Sequence, residues 1–304
     1  MYQIAVLGAG AWGSILAKLA SQKGHQVNLW TRQGEVSLAD CLTEADIVIS
    51  AISMKGVSEV AKQVKASQLP AHTILVTATK GLDATTSRTP SQIWQEGFPQ
   101  NSVVVLSGPN LSKEIGQGLP AATVVSSANK AAAETVQTAF SSDRFRVYTN
   151  TDPIGTELGG TLKNVIAIAV GVCDGLQLGT NAKSALITRA LTEIIRVGTH
   201  LGGQTETFFG LSGLGDLLAT CSSPLSRNYQ VGFRLSQGNS LEQILAELQG
   251  TAEGVNTANV LIDIARRENI PVPVSLQVYR LLNGKITPQQ AVEALMERDL
   301  KSEA

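Results

Sequence analysis

The chain of 304 residues carries almost no net charge, and this shortage restricts the partners it can attract. Its 24 Lys and Arg residues are balanced by 25 Asp and Glu residues, which gives a formal net charge of −1. Such a chain has no overall electrostatic attraction for nucleic acid or for an anionic membrane surface. We therefore expect no nucleic-acid partner, and any anionic ligand must be bound by local cations and helix N-termini.

Cysteine and histidine are also scarce. Cys41, Cys173 and Cys221 are far apart in the sequence, and the three histidines are scattered. Neither set shows the spacing of a metal site, a redox pair or a nucleophile with its base. The sequence thus predicts no metal site, and it predicts three reduced thiols of the kind found in cytoplasmic proteins.

A long hydrophobic run is missing as well. The most apolar segment, 165–173, is much shorter than the roughly 20 residues that a membrane-spanning helix needs, and Lys163 lies beside it. The first predicted strand begins at the N-terminus, so no signal peptide is expected. With 43% hydrophobic residues, the chain can bury a sizeable core in two domains. These features predict a cytoplasmic protein without membrane insertion.

A glycine-rich turn near the N-terminus is the most informative motif of the first half. The apolar run 4–7 is followed by Gly8, Gly10 and Gly13 at G-x-G-x-x-G spacing, and a helical pattern begins at once. In a dinucleotide-binding unit these glycines permit a tight turn, an approach of the backbone to a pyrophosphate, and close packing of helix and strand. The free N–H groups of the helix then face the phosphates. A tight turn in another α/β fold is the alternative.

Strands and helices alternate over the first 150 residues. This order predicts an α/β Rossmann domain with a doubly wound parallel sheet over residues 1–150. Beyond Asn150 helical periods dominate and no convincing strand follows, which predicts an all-helical domain over residues 151–304. Strands are predicted at 4–7, 27–30, 46–52, 73–78, 103–106, 123–126 and 145–148, and helices up to 23 and at 37–45, 55–67 and 129–140.

Polar residues follow several predicted strands, where the carboxyl ends of a parallel sheet line the ligand crevice. Arg32 follows the second strand, and no acid occurs there before Glu35, so Arg32 is predicted to meet the 2′-phosphate of NADP or to stack on adenine. Lys80 is predicted near the nicotinamide end, where it could hold substrate or phosphate. Asn110 is predicted to be the N-cap of a helix that contains Lys113. A solvated arginine and a surface lysine are the alternatives.

Lys163 is the most unusual residue of the second half. It is the only ionisable side chain between Glu157 and Asp174, and its helix face carries small residues. Gly159 and Gly160 each cost roughly 1 kcal/mol of helix propensity relative to alanine, which predicts the close approach of a ligand or helix. Desolvation would lower the lysine pKa toward neutrality, as a general acid or base for carbonyl reduction needs. A lysine that snorkels from the edge of an apolar helix is the alternative.

Two further groups of polar residues lie beyond this helix. Asp216 and Thr220 are four residues apart on one helix face, and Asp216 is predicted to anchor a hydroxyl or to orient Lys163. Arg227 and Asn228 form a donor pair suited to a phosphate. Helix capping and a surface arginine are the alternatives.

Together the motifs resemble those of the bacterial NAD(P)-dependent glycerol-3-phosphate dehydrogenase family over nearly the whole chain. The resemblance implies a Rossmann domain, an all-helical C-terminal domain of the 6-phosphogluconate-dehydrogenase-like type, and a homodimer. It also implies hydride transfer from NADH or NADPH to C2 of dihydroxyacetone phosphate, which gives sn-glycerol 3-phosphate for phospholipid synthesis. The motifs are GAGAWG at 8–13, TKG at 79–81, SGPNLSKE at 107–114, ELGGTLKNVIAIAVG at 157–171, GLGDLLATC at 213–221, SRN at 226–228 and EGV at 253–255.

The same resemblance implies roles for individual residues. Lys163 is similar to the proton donor and acceptor of the family. The matched substrate positions are Lys80, Gly108, Asn110, Lys163, Asp216, Ser226, Arg227 and Asn228. The matched cofactor positions are Gly8, Gly10, Ala11, Trp12, Gly13, Arg32, Lys80, Ser112, Arg227, Thr251 and Glu253.

One segment departs from the family pattern. After Thr31 and Arg32, which follow the second predicted strand, only residues 33–45 precede the third. The family usually has a longer segment there, with an Arg-Tyr-Leu-Pro-like stretch. Because this segment borders the adenine and the substrate cleft, the resemblance determines the catalytic core more firmly than the cofactor preference. Asn110 also stands where threonine is common, although both residues can donate a hydrogen bond.

Two other functions are compatible with parts of the pattern. A different Rossmann dehydrogenase would act on a 3-hydroxyacid or on 6-phosphogluconate, but the Arg227–Asn228 pair argues against it. A catalytically silent NADP-binding regulator is the second alternative, and the intact Lys163 and Asp216 argue against that. A purely structural role is least favoured, because polar residues cluster at strand and helix ends.

Overall fold

The computed structural model describes residues 1–248 and 250–299. Its first half is built on one seven-stranded sheet with the order β2-β1-β3-β4-β5-β6-β7. The strands are β1 Gln3–Leu7, β2 Gln26–Trp30, β3 Ile47–Ser50, β4 Ile74–Thr77, β5 Val103–Ser107, β6 Ala121–Ser126 and β7 Phe145–Asn150. All seven predicted strands are therefore present, with ends that differ by one to a few residues.

Strands β1 to β5 are parallel, and their carboxyl ends meet at one edge of the sheet. Leu7 lies opposite both Trp30 and Ser50, and Ser50 lies opposite Thr77. Strand β6 is antiparallel to β5, and β7 is parallel to β6. The sheet is thus parallel-dominated, with two strands that run the other way. The connection from β5 to β6 holds only a five-residue helix, not the full crossover helix typical of a parallel pair.

Helices cover both faces of this sheet, as predicted for a doubly wound fold. Ile4 and Val6 of β1 pack in one apolar cluster with Leu16, whereas Ala5 and Leu7 pack in another with Val57. Successive side chains of a strand point to opposite faces, so a strand buried on both faces is apolar throughout. The helices are α1 Ala11–Gln22, α2 Leu38–Leu42, α3 Met54–Ala66, α4 Pro90–Gly97, α5 Ser112–Gly116 and α6 Lys130–Phe140.

Helix α4 was not predicted from the sequence, although its N-terminus carries a recognisable signal. The Thr89 side chain accepts from the backbone N–H of Gln92, while the Gln92 side chain accepts from the backbone N–H of Thr89. Pro90 occupies the first turn, where its missing N–H costs nothing. A capping box with proline thus defines a helix that hydrophobic periodicity alone did not reveal.

The short segment between β2 and β3 forms an exposed loop and then α2. Ser37 caps α2 by accepting from the N–H of Asp40 at 3.1 Å, and Cys41 and Leu42 are buried against the sheet. The predicted helix at 37–45 is confirmed. Although this segment is short, it therefore still covers one face of the sheet.

Beyond β7 the described residues contain only helices and turns, as predicted. The long helix α7 lies at the centre of this second half, and a single apolar cluster surrounds it. The elements of this second half are α7 Pro153–Gly175, α8 Gly179–His200, α9 Thr205–Phe208, a π-helical turn Leu211–Gly215, α10 Asp216–Ser222, α11 Arg227–Ser236, α12 Leu241–Glu247, α13 Glu253–Arg267, α14 Pro273–Leu282 and α15 Pro288–Met296.

Helix α7 is longer than 165–173, the segment that is most apolar in the sequence. It has 23 residues, and by length and composition it is apolar enough to cross a membrane. The expectation that no segment reaches that length is therefore wrong. However, 83% of its most apolar 18-residue window is buried within the fold, as in a core helix.

Candidate active site

The glycine-rich turn connects β1 to α1 in a way that only small residues permit. Gly8 has φ +110°, and a Cβ there would lie 2.7 Å from the Ala51 carbonyl oxygen. A Cβ at Gly13 would lie 3.0 Å from the Gly8 carbonyl carbon and closer still to its oxygen. At Gly10 a Cβ would meet no described atom within 4 Å, so the start of α1 at Ala11 borders open space. This arrangement suits an anion approaching the free N–H groups of α1.

The loop after β2 lies beside this turn. The Gly8 N–H donates to the Trp30 carbonyl at 2.8 Å, which places Arg32 next to the glycine turn. Arg32 is exposed, and its guanidinium lies over the first turn of α3, since a Cβ at Gly56 would be 3.5 Å from one of its nitrogens. An exposed cation at the end of β2 is thus available to a nucleotide bound along the edge.

Three charged side chains from both halves of the chain meet at the carboxyl edge of the sheet. Lys163 Nζ lies 2.9 Å from Asp216 Oδ1, and Lys80 Nζ lies 2.5 Å from Asp216 Oδ2. Lys163 also donates to the hydroxyl of Thr220, which in turn donates to Asp216 Oδ1 at 3.2 Å. We call Lys80, Lys163, Asp216 and Thr220 the lysine cluster. The predicted orientation of Lys163 by Asp216 agrees with this geometry.

The two glycines before Lys163 explain how the cluster is assembled. A Cβ at Gly159 would lie 2.8 Å from the Ser212 carbonyl oxygen, and one at Gly160 would lie 3.3 Å from Lys80 Cε. Larger residues would push α7 away from the π-helical turn that precedes Asp216 and from the loop that carries Lys80. The close approach predicted from the glycine pair is confirmed.

Burial changes the chemistry of Lys163. Its side chain is almost fully buried, and this desolvation, opposed by the Asp216 carboxylate and assisted by the charge of Lys80, lowers the lysine pKa to about 8. An amine with such a pKa exchanges its proton readily near neutral pH. The same burial excludes the alternative that Lys163 snorkels to solvent.

Two residues near the cluster, at the end of β5 and in the turn after it, carry polar atoms without a protein partner among the described residues. Lys80 Nζ donates to the Gly108 carbonyl at 3.3 Å, and the adjacent Ser107 hydroxyl is buried beside Gly160. Among the described residues, neither Ser107 Oγ nor Asn110 Oδ1 has a hydrogen-bond partner. Buried polar atoms are usually paired, so unpaired ones here fit a ligand that supplies the missing bonds.

The structure corrects the prediction that Asn110 caps a helix. The N-cap of α5 is Leu111, and the Asn110 amide instead donates to Thr123 Oγ1 at 3.0 Å. Asn110 is drawn toward β6 because the antiparallel strand brings Thr123 next to the turn. Ser112 is the first residue of α5.

Asn228 links α7, the helix that carries Lys163, to α13. Its amide nitrogen donates to Asn164 Oδ1 at 3.0 Å, and its oxygen accepts from the Gly254 N–H at 3.0 Å. One amide hydrogen of Asn228 thus stays available to a ligand, and Asn164 adjoins Lys163. Sequence reasoning did not single out Asn164, because residues next to each other on a helix point about 100° apart.

The remaining predicted residues lie around this cleft. Ser226 caps α11 by accepting from Tyr229 N–H at 3.3 Å, so the capping alternative applies to it. Arg227 is exposed beside Gly250. Glu253, whose pKa is raised by burial, accepts from the Met54 N–H at 3.3 Å and from Thr251 Oγ1 at 3.1 Å. It therefore joins the start of α13 to the start of α3.

Trp12 and the cysteines lie outside the lysine cluster. Trp12 packs against Phe145, with ring centroids 6.5 Å apart, and is half-buried in the first turn of α1. The three cysteines are free and buried. Within residues 1–248 and 250–299, no three His, Cys, Asp or Glu side chains form a group that could hold a metal ion.

Both halves of the chain match models of one protein family. The model described as NAD-dependent glycerol-3-phosphate dehydrogenase N-terminus matches residues 3–37 and 33–133, and that of the C-terminus matches residues 152–293. The two pieces of the N-terminal match meet at residues 33–37, inside the segment predicted to be short.

Named relatives agree with these matches. Glycerol-3-phosphate dehydrogenase [NAD(P)+] of Acaryochloris marina is 67% identical over 99% of this chain and 97% of its own length. The enzyme of the same name from Synechocystis is 66% identical over 99% of this chain and 95% of its own length. The crystal structure of glycerol-3-phosphate dehydrogenase from Coxiella burnetii has a TM-score of 0.93 and 34% identity, and covers 98% of this chain and 99% of that one. The chain belongs to the NAD-dependent glycerol-3-phosphate dehydrogenase family.

Proposed function

We propose that this protein catalyses the reversible reduction of dihydroxyacetone phosphate to sn-glycerol 3-phosphate with NADH or NADPH. The observation that carries the proposal is the lysine cluster: a buried lysine with lowered pKa, held by a carboxylate at the carboxyl edge of a Rossmann sheet. Two relatives that are at least 66% identical over 99% of the chain have names that state this activity. The product is a precursor of glycerophospholipids.

The first half of the chain fits a nicotinamide dinucleotide. The open space at Gly10 and the start of α1 suit a pyrophosphate, and the unpaired Ser107 Oγ and Asn110 Oδ1 lie farther along the edge. When bound, the nicotinamide supplies the hydride. The proposed cofactor residues are Gly8, Gly10, Ala11, Trp12, Gly13, Arg32, Lys80, Ser112, Arg227, Thr251 and Glu253.

Lys163 is the proposed proton donor. As hydride reaches C2 of the ketone, the ammonium of Lys163 gives its proton to the C2 oxygen, which becomes the hydroxyl of the product. In the reverse direction the neutral amine takes that proton back. Asp216 keeps the ammonium aimed by its 2.9 Å contact, and Thr220 fixes it from a second direction.

The phosphate end of the substrate needs cations and amide donors. We assign it to Lys80, Arg227 and the free amide hydrogen of Asn228, because guanidinium and ammonium groups pair strongly with phosphate oxygens. Ser226 Oγ can donate while it accepts from Tyr229. The full set of proposed substrate residues is Lys80, Gly108, Asn110, Lys163, Asp216, Ser226, Arg227 and Asn228.

The proposal extends to the organisation of the protein. We assign cofactor binding to residues 1–150 and substrate binding and catalysis to residues 151–304, which is supported by the end of β7 at Asn150. We further propose a cytoplasmic homodimer that acts on small molecules, with neither nucleic acid nor membrane insertion involved. Sedimentation of the purified protein measures the assembly state.

Oxidation of NADPH and NADH in the presence of dihydroxyacetone phosphate tests the activity. We expect rapid turnover with the phosphate ester and little with unphosphorylated dihydroxyacetone, because the phosphate contacts are needed to hold the ketone. The ratio of the two cofactors measures the contribution of Arg32. Binding of NADPH without turnover of this ketone would contradict the proposed function. Separate assays of NAD+ and NADP+ reduction by 6-phosphogluconate and by a 3-hydroxyacid test the other dehydrogenases.

Replacing Arg227 by alanine is expected to raise the KM for dihydroxyacetone phosphate by about 10-fold to 100-fold, the usual cost of losing a charged hydrogen bond. The weak reaction with unphosphorylated dihydroxyacetone should change little. Arg234→Ala is the matched control, since Arg234 lies on the same helix and pairs with Glu247 at 2.5 Å on the surface. An unchanged KM in Arg227→Ala would refute the assignment of this residue.

A further inference from the structure

A cavity that is separate from the lysine cluster lies among four helices of the second half. Its volume is about 660 Å³, and its walls come mainly from α7, α8, α14 and α15. Apolar side chains dominate the lining, for example Val172, Leu186, Val278 and Leu295. Pockets that bind small molecules typically have about 300–1,000 Å³ and mostly apolar walls with a few polar groups.

The packing of α15 and α8 explains why this space is open. Helix α15 buries only Ala291 among its residues, so it does not fill the groove beside α14. The facing side of α8 carries the small residues Ala182 and Ala185. Small side chains on one wall and a loosely packed helix on the other leave a concave channel rather than a flat face.

Three arginines line the same space, and we call it the arginine-rimmed cavity. They are Arg189, Arg196 and Arg298. Arg189 and Arg196 are seven residues apart on α8 and therefore share one helix face. Arg189 is exposed, and Arg196 uses one nitrogen on the Pro271 carbonyl at 2.8 Å. Guanidinium groups thus flank an apolar channel.

The two acidic residues of the lining cancel only part of the charge of the three arginines. Glu193 is buried at the N-terminus of α14, where it accepts from Val274 N–H at 2.8 Å and from Ser275 N–H at 2.9 Å. Its carboxylate is held within the protein but keeps its charge, so Glu193 and Asp299 together offset two of the three arginines. The rim has an excess of positive charge next to an apolar interior.

We propose that the arginine-rimmed cavity binds a long-chain carboxylate, that is, a fatty acid. Its alkyl chain lies among the apolar side chains of the four helices, and its carboxylate pairs with the arginines of α8. Charge complementarity supports this occupant, because a guanidinium forms two parallel hydrogen bonds with a carboxylate. A concave channel among four helices also suits an inserted chain better than the surface of a second copy.

Calorimetric titration of the full-length protein with dodecanoate, below its micelle concentration, tests the proposal. We expect saturable binding of one dodecanoate per chain. Dodecyl maltoside has the same alkyl chain but no charge, so it should bind at least tenfold more weakly. Equal binding of the two compounds, or no saturable binding of dodecanoate, would overturn the proposal.

Two variants locate the site. Ala185→Trp fills the channel and should abolish dodecanoate binding, whereas Arg189→Gln should weaken it about tenfold or more. Arg280→Gln is the matched control on the exposed side of α14, outside the lining, and should bind as the wild type does. Wild-type affinity in Arg189→Gln and Ala185→Trp would exclude this cavity. If Ala185→Trp instead converts a dimer to a monomer in sedimentation while dodecanoate fails to bind, a second copy occupies the space and the proposal is wrong.

Discussion

Replacing Lys163 by alanine is expected to lower kcat for the reduction of dihydroxyacetone phosphate by about a thousandfold, in the usual range for loss of a general acid. Lys163 is the member of the lysine cluster that lies on α7 and that we propose as the proton donor. Its Nζ lies 2.9 Å from Asp216 Oδ1. The affinity for NADPH, measured by fluorescence titration, should stay within a factor of a few. The glycine-rich turn and α1, which would hold the cofactor phosphates, are not altered.

Lys183→Ala is the control for this experiment. Lys183 is also a lysine paired with an aspartate, Asp174, at 2.6 Å, but it lies on α8 and is partly exposed. Lys183 bonds to Asp174 and lies over the Tyr229 ring, and it forms no hydrogen bond or ion pair with the lysine cluster, so this variant should keep its wild-type kcat. A Lys163→Ala enzyme with unchanged kcat would remove the lysine from the mechanism.

The pH dependence provides a second readout of the same residue. Burial lowers the Lys163 pKa to about 8, so the ammonium predominates below that pH and the amine above it. The rate of ketone reduction should fall as the pH rises through about 8, while the rate of alcohol oxidation should rise. Asp216→Asn removes the charge that favours the ammonium and should move both inflections to lower pH. Lys163→Arg, whose side chain stays protonated, should lose the inflection.

Replacing Gly232 by alanine is expected to destabilise the protein by about 3 kcal/mol or more, at the upper end for overpacking. Gly232 lies where α11 crosses α7, and a Cβ there would be 2.8 Å from the Ile168 carbonyl carbon and 3.0 Å from the Val172 nitrogen. Both obstacles are backbone atoms of a buried helix, so neither can rotate away. Chemical denaturation followed by circular dichroism measures the loss.

Gly97→Ala is the matched control, because Gly97 is also a helical glycine. A Cβ at Gly97 would meet no described atom within 4 Å. Alanine favours a helix by about 1 kcal/mol over glycine, so this variant should be as stable as the wild type or slightly more stable. A loss of stability in Gly97→Ala equal to that in Gly232→Ala would show that helix crossing does not explain the effect.

Local patterns predicted most of the secondary structure. The apolar strands, the G-x-G-x-x-G turn and the helical periods after Asn150 each depend on neighbouring residues, whose preferences the sequence displays directly. The left-handed Gly24 that ends α1, with φ +81°, belongs to the same class of local signal. Helix α4 is the exception, because its local signal is a capping box and not hydrophobic periodicity.

The site was predicted less completely, for a physical reason. Lys163 could be singled out because no other charge occurs near it in the sequence, and Asp216 because it shares a helix face with Thr220. That Asp216 lies between Lys163 and Lys80, 53 and 136 residues away along the chain, depends on how the two halves pack. The same packing directs Asn110 to Thr123 and makes Asn164 a partner of Asn228.

The sequence alone determined the Rossmann and helical halves and the glycine-rich turn, since these depend on short-range periodicity. It also indicated Lys163 as the candidate general acid, because a lone charge in an apolar helix is rare. Only the tertiary structure decided the reversed direction of β6 and β7, the two-lysine environment of Asp216 and the pKa of Lys163 near 8. Strand direction depends on the path of a connection through space. A pKa depends on burial and on charges brought close by folding, and neither is written in the spacing of residues.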